Sequence, residues 1–293
     1  MNQPARATST QALMAMMALL FNEEERAKGR SLKLRPTDIV IAPFGKSGTT
    51  WVQQIVHCLR TRGDMDFDDI SRVVPWIETS AMLGLDLDAE QKANPRAFKS
   101  HLSWDAIPKG GRYIVTVRDP GDALYSLYKF MEGWFIEPGS ISLDEFALRI
   151  FIDDRQYWKH LASWLPRRND DDVLFMAFEH MKSDLCATVE RIAEFIGIPL
   201  DVELREITEQ HASLEFMLRH KNRFDDRLMR EMSERLMSLP PGSNSAKVRA
   251  GKVGEHARHL GEEISAEIDA VWQQEITAKF GFQSYRALIR TLI

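Results

Sequence analysis

Cysteine is scarce: Cys58 and Cys186 are the only two in 293 residues, with no Cys-x-x-Cys spacing. That excludes a disulfide framework and a structural zinc motif, and it fits a reducing, cytoplasmic setting. Basic charge is short as well. The 38 Lys and Arg stand against 43 Asp and Glu, a formal net charge of −5. Broad, sequence-blind nucleic-acid binding needs a basic excess and is not expected. One basic cleft for an anionic ligand remains compatible, because net charge says little about a single site. Long apolar runs are missing too. The longest, Ala12–Phe21, is far below the roughly 20 residues a membrane-spanning helix needs. Arg6 is the only basic residue before it, Glu23-Glu24-Glu25 follow, and no small-residue cleavage site intervenes. It reads as an amphipathic N-terminal helix rather than a signal peptide or an integral membrane segment. Internal repeats, low-complexity tracts and interdomain linkers are absent.

What is present is the composition of a folded domain, 44% hydrophobic and 28% charged. Short apolar runs at Asp38–Ala42, Arg96–Lys99, Tyr113–Val117 and Val173–Phe178 read as buried strands. Between and after them, helical spacing covers Thr49–Arg62, Asp122–Met131, Leu143–Ile152, Tyr157–Leu165 and Thr188–Ile196, with Gly197 and Pro199 closing the last. More helix runs to about Met237, a loop follows at Pro240–Ala246, and a final helix covers Ser265–Phe280. Apolar strands alternating with helices predict an α/β fold with a parallel sheet covered on both faces. One domain over residues 1–293 is expected, with residues 1–30 as a helical extension and ligands at the carboxyl ends of the strands.

Three loops carry chemistry. Gly45-Lys46-Ser47-Gly48-Thr49-Thr50-Trp51 joins the first strand to a helix. Amides at such a turn converge on one point, the helix dipole adds positive potential, and Lys46 adds a full charge. The fitting ligand is a phosphate or another tetrahedral oxyanion. A Walker loop would place its first glycine at position 40, which is Val40, so the loop is P-loop-like without being a Walker loop. Arg118 ends the third strand, and Ser126 lies eight residues on, in the next helix. A guanidinium fork there suits a second phosphate. Pairing with Asp119 or Asp122 would suit it equally. Arg249-Ala250-Gly251-Lys252-Val253-Gly254 interleaves basic residues with glycine. Alone, it would read as a solvated, mobile loop.

Taken in order, these loops resemble the sulfotransferase superfamily that uses 3′-phosphoadenosine 5′-phosphosulfate (PAPS). That family has Pro-Lys-Ser-Gly-Thr-Thr-Trp, an Arg…Ser pair eight apart, and a late Arg-Lys-Gly-x-x-Gly. The likeness runs from about Asp38 to Leu260. It implies the family fold and PAPS as co-substrate, with no metal required. It also implies that Lys99-Ser100-His101-Leu102 stands where the family has Lys-Thr-His-Leu, which makes His101 the expected catalytic base, helped by Lys46 and Lys99. A neutral imidazole near physiological pH suits that task. Trp51 and Phe178 are then expected at adenine, with Ser213 in the adenine-side segment. Arg118, Ser126, Arg249, Ala250 and Gly251 are expected around the 3′-phosphate.

Departures from the family pattern are specific. Gly45 replaces Pro, Ala250 replaces Lys, Phe178 replaces the common Tyr, and His211-Ala212-Ser213-Leu214 matches loosely. The dimer signature of animal members is absent after Leu260, which leaves a homodimer an open expectation. The acceptor is expected to be a small apolar phenol, alcohol or lipid-like molecule. Trp76, Met82, Leu83, Met131, Trp134 and Phe135 are candidates for its pocket, although such residues are more often ordinary core. The alternatives are an ATP-dependent small-molecule kinase and a catalytically silent nucleotide-binding protein.

Overall fold

The computed structural model describes residues 6–245 and 247–292. Residues 1–5 of the expected extension, Ala246 at the end of the expected Pro240–Ala246 loop, and Ile293 lie outside the described residues. The chain opens with helices α1 (Thr10–Leu20) and α2 (Glu23–Arg30), then β1 (Ile39–Ile41), α3 (Thr49–Thr61), α4 (Ile70–Val73), β2 (Ala97–Lys99), β3 (Arg112–Val117) and α5 (Pro120–Trp134). After α6 (Leu143–Phe146) and a π-helical turn at Ala147–Ile152 come α7 (Gln156–Trp164), β4 (Val173–Ala177), α8 (Phe178–Ser183) and α9 (Leu185–Ile196). The rest is helical: α10 (Val202–Ala212), α11 (Leu214–Arg219), α12 (Arg227–Met237), α13 (Glu262–Trp272), α14 (Ala278–Phe280) and α15 (Tyr285–Ile289).

The strands form one parallel sheet in the order β2-β1-β3-β4. Val40 registers with Phe98 on one side and Tyr113 on the other. Alternation sends Ile39 and Ile41 to the face covered by α3 and α9, where Val52, Ile55, Val189 and Ile192 are buried. Val40 and Ala42 face α5 and α7, against Leu124, Trp158 and Trp164. Burying each such Ile or Leu contributes about 1.5–3 kcal/mol. Below the strands, buried Asp38 and Arg96 pair through two bonds, Nε to Oδ1 at 2.9 Å and Nη2 to Oδ2 at 2.5 Å, tying β1 to β2.

The order places β1 centrally. The chain leaves it toward β2 on one side and returns to β3 on the other, so a crevice opens at the carboxyl ends of these strands. The N-terminal helices close over that end. Ala7 bridges to Ile136, with Ala7 N donating to Phe135 O at 2.7 Å and Glu137 N donating to Ala7 O at 2.9 Å. In α2, Gly29 lies against the backbone of Ile77, where a Cβ would stand 2.0 Å from the carbonyl oxygen.

Several expected boundaries move. Phe178 is not the last residue of a strand but the first of α8. The chain turns there because the Glu179 carboxylate accepts the Asp119 amide at 3.1 Å and also the Tyr285 hydroxyl. The helix expected at Leu143–Ile152 is α6 plus the π-helical turn, and the helix expected at Ser265–Phe280 starts at Glu262 and contains a second π-helical turn at Gln273–Thr277. Helix α15 was not expected; Ser284 caps it by accepting from Ala287 N. Among the described residues, no helix is long and apolar enough to cross a membrane.

Candidate active site

At the crevice lies a cavity of about 1030 Å³. Its polar end begins with the loop after β1. Lys46 takes a left-handed conformation (φ 69°) and Gly48 another (φ 97°). Such alternation turns successive amides toward one side. Gly48 is the N-cap of α3 and no side chain caps that helix, so its first-turn amides are left for a ligand. By contrast, Asp119 caps α5 by accepting from the amides of Gly121 and Asp122. Gly45, Lys46, Gly48, Thr49, Thr50 and Trp51 line the cavity. Ser47 does not. Its hydroxyl is fully buried without a partner, and its carbonyl accepts from Thr116 Oγ1 at 2.6 Å.

Trp51 is fixed by donating Nε1–H to Ala212 O at 2.8 Å and by an edge contact with Phe178, centroids 5.6 Å apart. Phe178 in turn lies under the guanidinium of Arg118, 4.5 Å from the ring centroid. Arg118 joins the loops. It donates to Lys46 O at 3.1 Å and to Lys252 O at 2.9 Å, and it stands 3.9 Å from Asp122. Both readings of Arg118 thus meet in one residue, which is ion-paired and also lines the cavity. Ser126, Ser213, Arg249, Ala250 and Gly251 line it too.

The third loop is not a free, solvated segment. Asp122 accepts from Gly254 N at 2.7 Å, from His256 N at 3.1 Å and from His256 Nδ1 at 2.8 Å. That bond to Asp122 raises the His256 pKa, and the nearby Asp119 adds to the effect. Arg249 is held by a two-bond pair with Glu255 at 3.1 and 2.5 Å.

At the carboxyl end of β2, Lys99 and His101 face the same cavity. His101 Nδ1 lies 2.7 Å from Pro43 O, and its ring packs edge-on to Trp76 at 5.2 Å. Burial, then the Lys99 charge, holds the imidazole pKa well below its ordinary value. The Lys99 ammonium sits 3.7 Å from the Trp76 ring centroid and the Lys46 ammonium 4.4 Å from that of Phe130. Burial, followed by the charge of Lys247, pulls both lysines down to about 7.

Sequence reasoning missed several lining residues. Glu78 accepts the His101 amide at 2.6 Å, and its other oxygen is buried. Asp226 and Lys247 form a buried ion pair. Helix α1 and the turn after it contribute Met17, Leu20 and Phe21. Of the expected apolar residues, Trp76, Met131, Trp134 and Phe135 line the cavity. Met82 and Leu83 do not; they pack against the core instead. No group of three or more His, Cys, Asp or Glu among the described residues is arranged to hold a metal ion.

The sulfotransferase domain profile matches residues 36–280. An amine sulfotransferase of Oryctolagus cuniculus is 28% identical over 258 residues, covering 83% of this chain and 82% of the relative. Sulfotransferase 1E1 of Mus musculus is 27% identical, covering 84% and 86%. Among solved structures, mouse sulfotransferase SULT7A1 complexed with PAP superposes with a TM-score of 0.70 at 19% identity, covering 93% of this chain and 94% of that one. Retinol dehydratase in complex with androsterone and inactive cofactor PAP gives 0.68 at 20% identity, covering 86% and 84%. At these identities the structural likeness speaks for the fold.

Proposed function

The chain belongs to the sulfotransferase domain family, and on that premise we propose that it moves a sulfuryl group from PAPS to a hydroxyl or amine of a small, largely apolar acceptor, with His101 as general base. The observation that carries this reading is the His101 imidazole. Its Nδ1 faces a carbonyl oxygen, its other nitrogen is left as the base, and it shares one cavity with Lys46 and Lys99. The kinase alternative raised by the loop gives way to family membership.

The chain's polar atoms suit the co-substrate. Arg118 Nε and Thr49 Oγ1 are buried without hydrogen-bond partners, which is costly unless a ligand meets them. The first-turn amides of α3 and Lys46 would hold the 5′-phosphate side. Trp51 and Phe178 would take adenine, and Arg118, Ser126 and Arg249 the 3′-phosphate. His101 then removes the acceptor proton as the acceptor atom bonds to sulfur. The bond from sulfur to the bridging phosphate oxygen breaks, and adenosine 3′,5′-bisphosphate (PAP) leaves. Lys46 and the loop amides stabilise the charge that builds on the bridging oxygen. Burial keeps His101 unprotonated before the reaction, and the anionic groups of the co-substrate raise its basicity when bound.

The acceptor end is walled by Met17, Phe21, Trp76, Phe130, Met131 and Trp134, which favours a flat or flexible apolar body. The test is a transfer assay with sulfate-labelled PAPS across phenols, sterols and aliphatic amines. Labelled product from at least one class is expected. PAPS that binds while no acceptor is labelled would favour the silent nucleotide-binding alternative.

A further inference from the structure

The buried Asp226–Lys247 pair is not used by the mechanism above, yet it stands inside the same cavity as Lys46, Lys99 and His101. The two side chains are 4% and 10% exposed. Taking two charges out of water is costly and their mutual attraction does not by itself make the pair stabilising, so a pair at this position needs a reason. Holding the chain in place is not that reason, because the segment before Lys247 is already fixed. Ser243 O accepts from Arg230 Nη1 at 2.6 Å, Asn244 N donates to Gly133 O at 3.2 Å, and the Ser245 hydroxyl bonds Asp225. Gly133 lets this approach happen, since a Cβ there would stand 2.2 Å from Asn244 O.

Asp226 is fixed just as firmly. It adopts a left-handed conformation (φ 47°) at the start of α12, one that Asp tolerates better than most residues. One residue beyond the start of that helix, Leu228 N donates to buried Asp69 at 2.9 Å. Burial alone would raise the Asp226 pKa, but Lys247, Lys99 and Lys46 outweigh it and hold the carboxyl near 2. Lys46, Lys99 and Lys247 thus share one cavity with the Asp226 carboxylate. Two of them rest on aromatic faces and the third on Asp226. Such an arrangement leaves a surplus of positive charge for an incoming anion.

We propose that Lys247 is a third cation of the sulfuryl-transfer centre, contacting the oxygens of the transferred group beside Lys46 and Lys99, and that Asp226 is its positioning residue. This rests on the reading of the cavity given above. The charge is assigned to the sulfuryl end because the Asp226–Lys247 pair lines the cavity that Lys46, Lys99 and His101 face and the Lys247 charge is felt at all three, while Arg118 and Arg249 are held by bonds within the third loop. PAP, which lacks the sulfuryl group, should be indifferent to Lys247. PAPS should not.

Calorimetric titration of PAP and PAPS into the full chain and into Lys247→Met tests this. The expected result is a PAPS Kd weakened about tenfold or more, with the PAP Kd within about twofold of the unsubstituted protein. The double variant Asp226→Asn/Lys247→Met should match Lys247→Met in its PAPS-to-PAP ratio, and it carries the test if the single variant, which strands a buried carboxylate, does not fold. A PAPS Kd unchanged by Lys247→Met, or PAP and PAPS weakened equally, overturns the role of Lys247. A further loss of PAPS preference in the double variant overturns the positioning role of Asp226. If the unsubstituted protein binds neither nucleotide, the reading of the cavity itself has failed, which is a different outcome from a bound PAPS that ignores Lys247.

Discussion

The Nδ1 atom of His101 stands 2.7 Å from the carbonyl oxygen of Pro43. A carbonyl can only accept, so Nδ1 carries the hydrogen and Nε2 keeps its lone pair. The backbone thereby selects the tautomer that a base requires. Replacing His101 with Ala should lower kcat by about 10²–10⁴-fold. The PAP Kd should stay within about twofold of its original value. Initial rates and a PAP titration on the same preparation check both halves, and a variant that still turns over at the original rate removes His101 as the base.

Arg118 couples the first and third loops through Lys46 O and Lys252 O. In Arg118→Ala both bonds vanish along with the charge. A charge-assisted bond contributes about 1.5–3 kcal/mol, so PAP affinity should fall on the order of tenfold to a hundredfold. Any preference for PAP over AMP should disappear with it. A variant that still discriminates the two nucleotides in a titration would show that the 3′-phosphate is held elsewhere.

Gly133 lies where α5 meets the segment that presents Lys247. Gly133→Ala sets a methyl group against backbone that cannot rotate away. Overpacking of this kind costs about 1–3 kcal/mol. Thermal unfolding should show a lowered Tm, and PAPS binding should weaken with the displaced segment. An unchanged Tm would mean the two backbones are not in this contact.

His57 and His160 are buried, and burial pushes each down to about 4, with Arg60 assisting at His57. Their folded values lie below the ordinary 6.5, so the unfolded chain takes up protons first as pH falls. The stability they contribute is complete above about 6.5 and is lost as pH falls toward 4. At pH 5 each should cost about 2 kcal/mol relative to pH 7.5. Urea midpoints across that range should decline, and His57→Leu should flatten the decline. A midpoint equally steep in the variant would exclude His57 as a contributor.

The parts readable from sequence were those written as contiguous text. Gly45 to Trp51 needs only a strand before it and a helix after it, and both are visible in local periodicity. Arg118 could be placed at a strand end, but not its two carbonyl partners, because Lys46 and Lys252 approach it only after folding. In the sequence, Lys247 is a single charge between a polar loop and the Arg249 motif. Its meaning comes from Asp226, twenty-one residues earlier, and nothing local connects them. Phe178 reads as a strand end in the sequence and is the first residue of α8 in the fold, since a strand end and a helix start carry the same apolar residue. The amphipathic pattern at Ala12–Phe21 announced a buried face without saying what it covers.

That last face has a wider meaning. The two ends of the cavity are built from material of different permanence. The end that carries Lys46, Lys99 and Arg118 is built where the strands of the central sheet finish, and it can change little without disturbing that sheet. The opposite end is partly screened by a peripheral helix moored through Ala7 and the loop after α5. Drift along Met17, Leu20 and Phe21 can therefore retune which molecules are admitted while the donor machinery stays as it is.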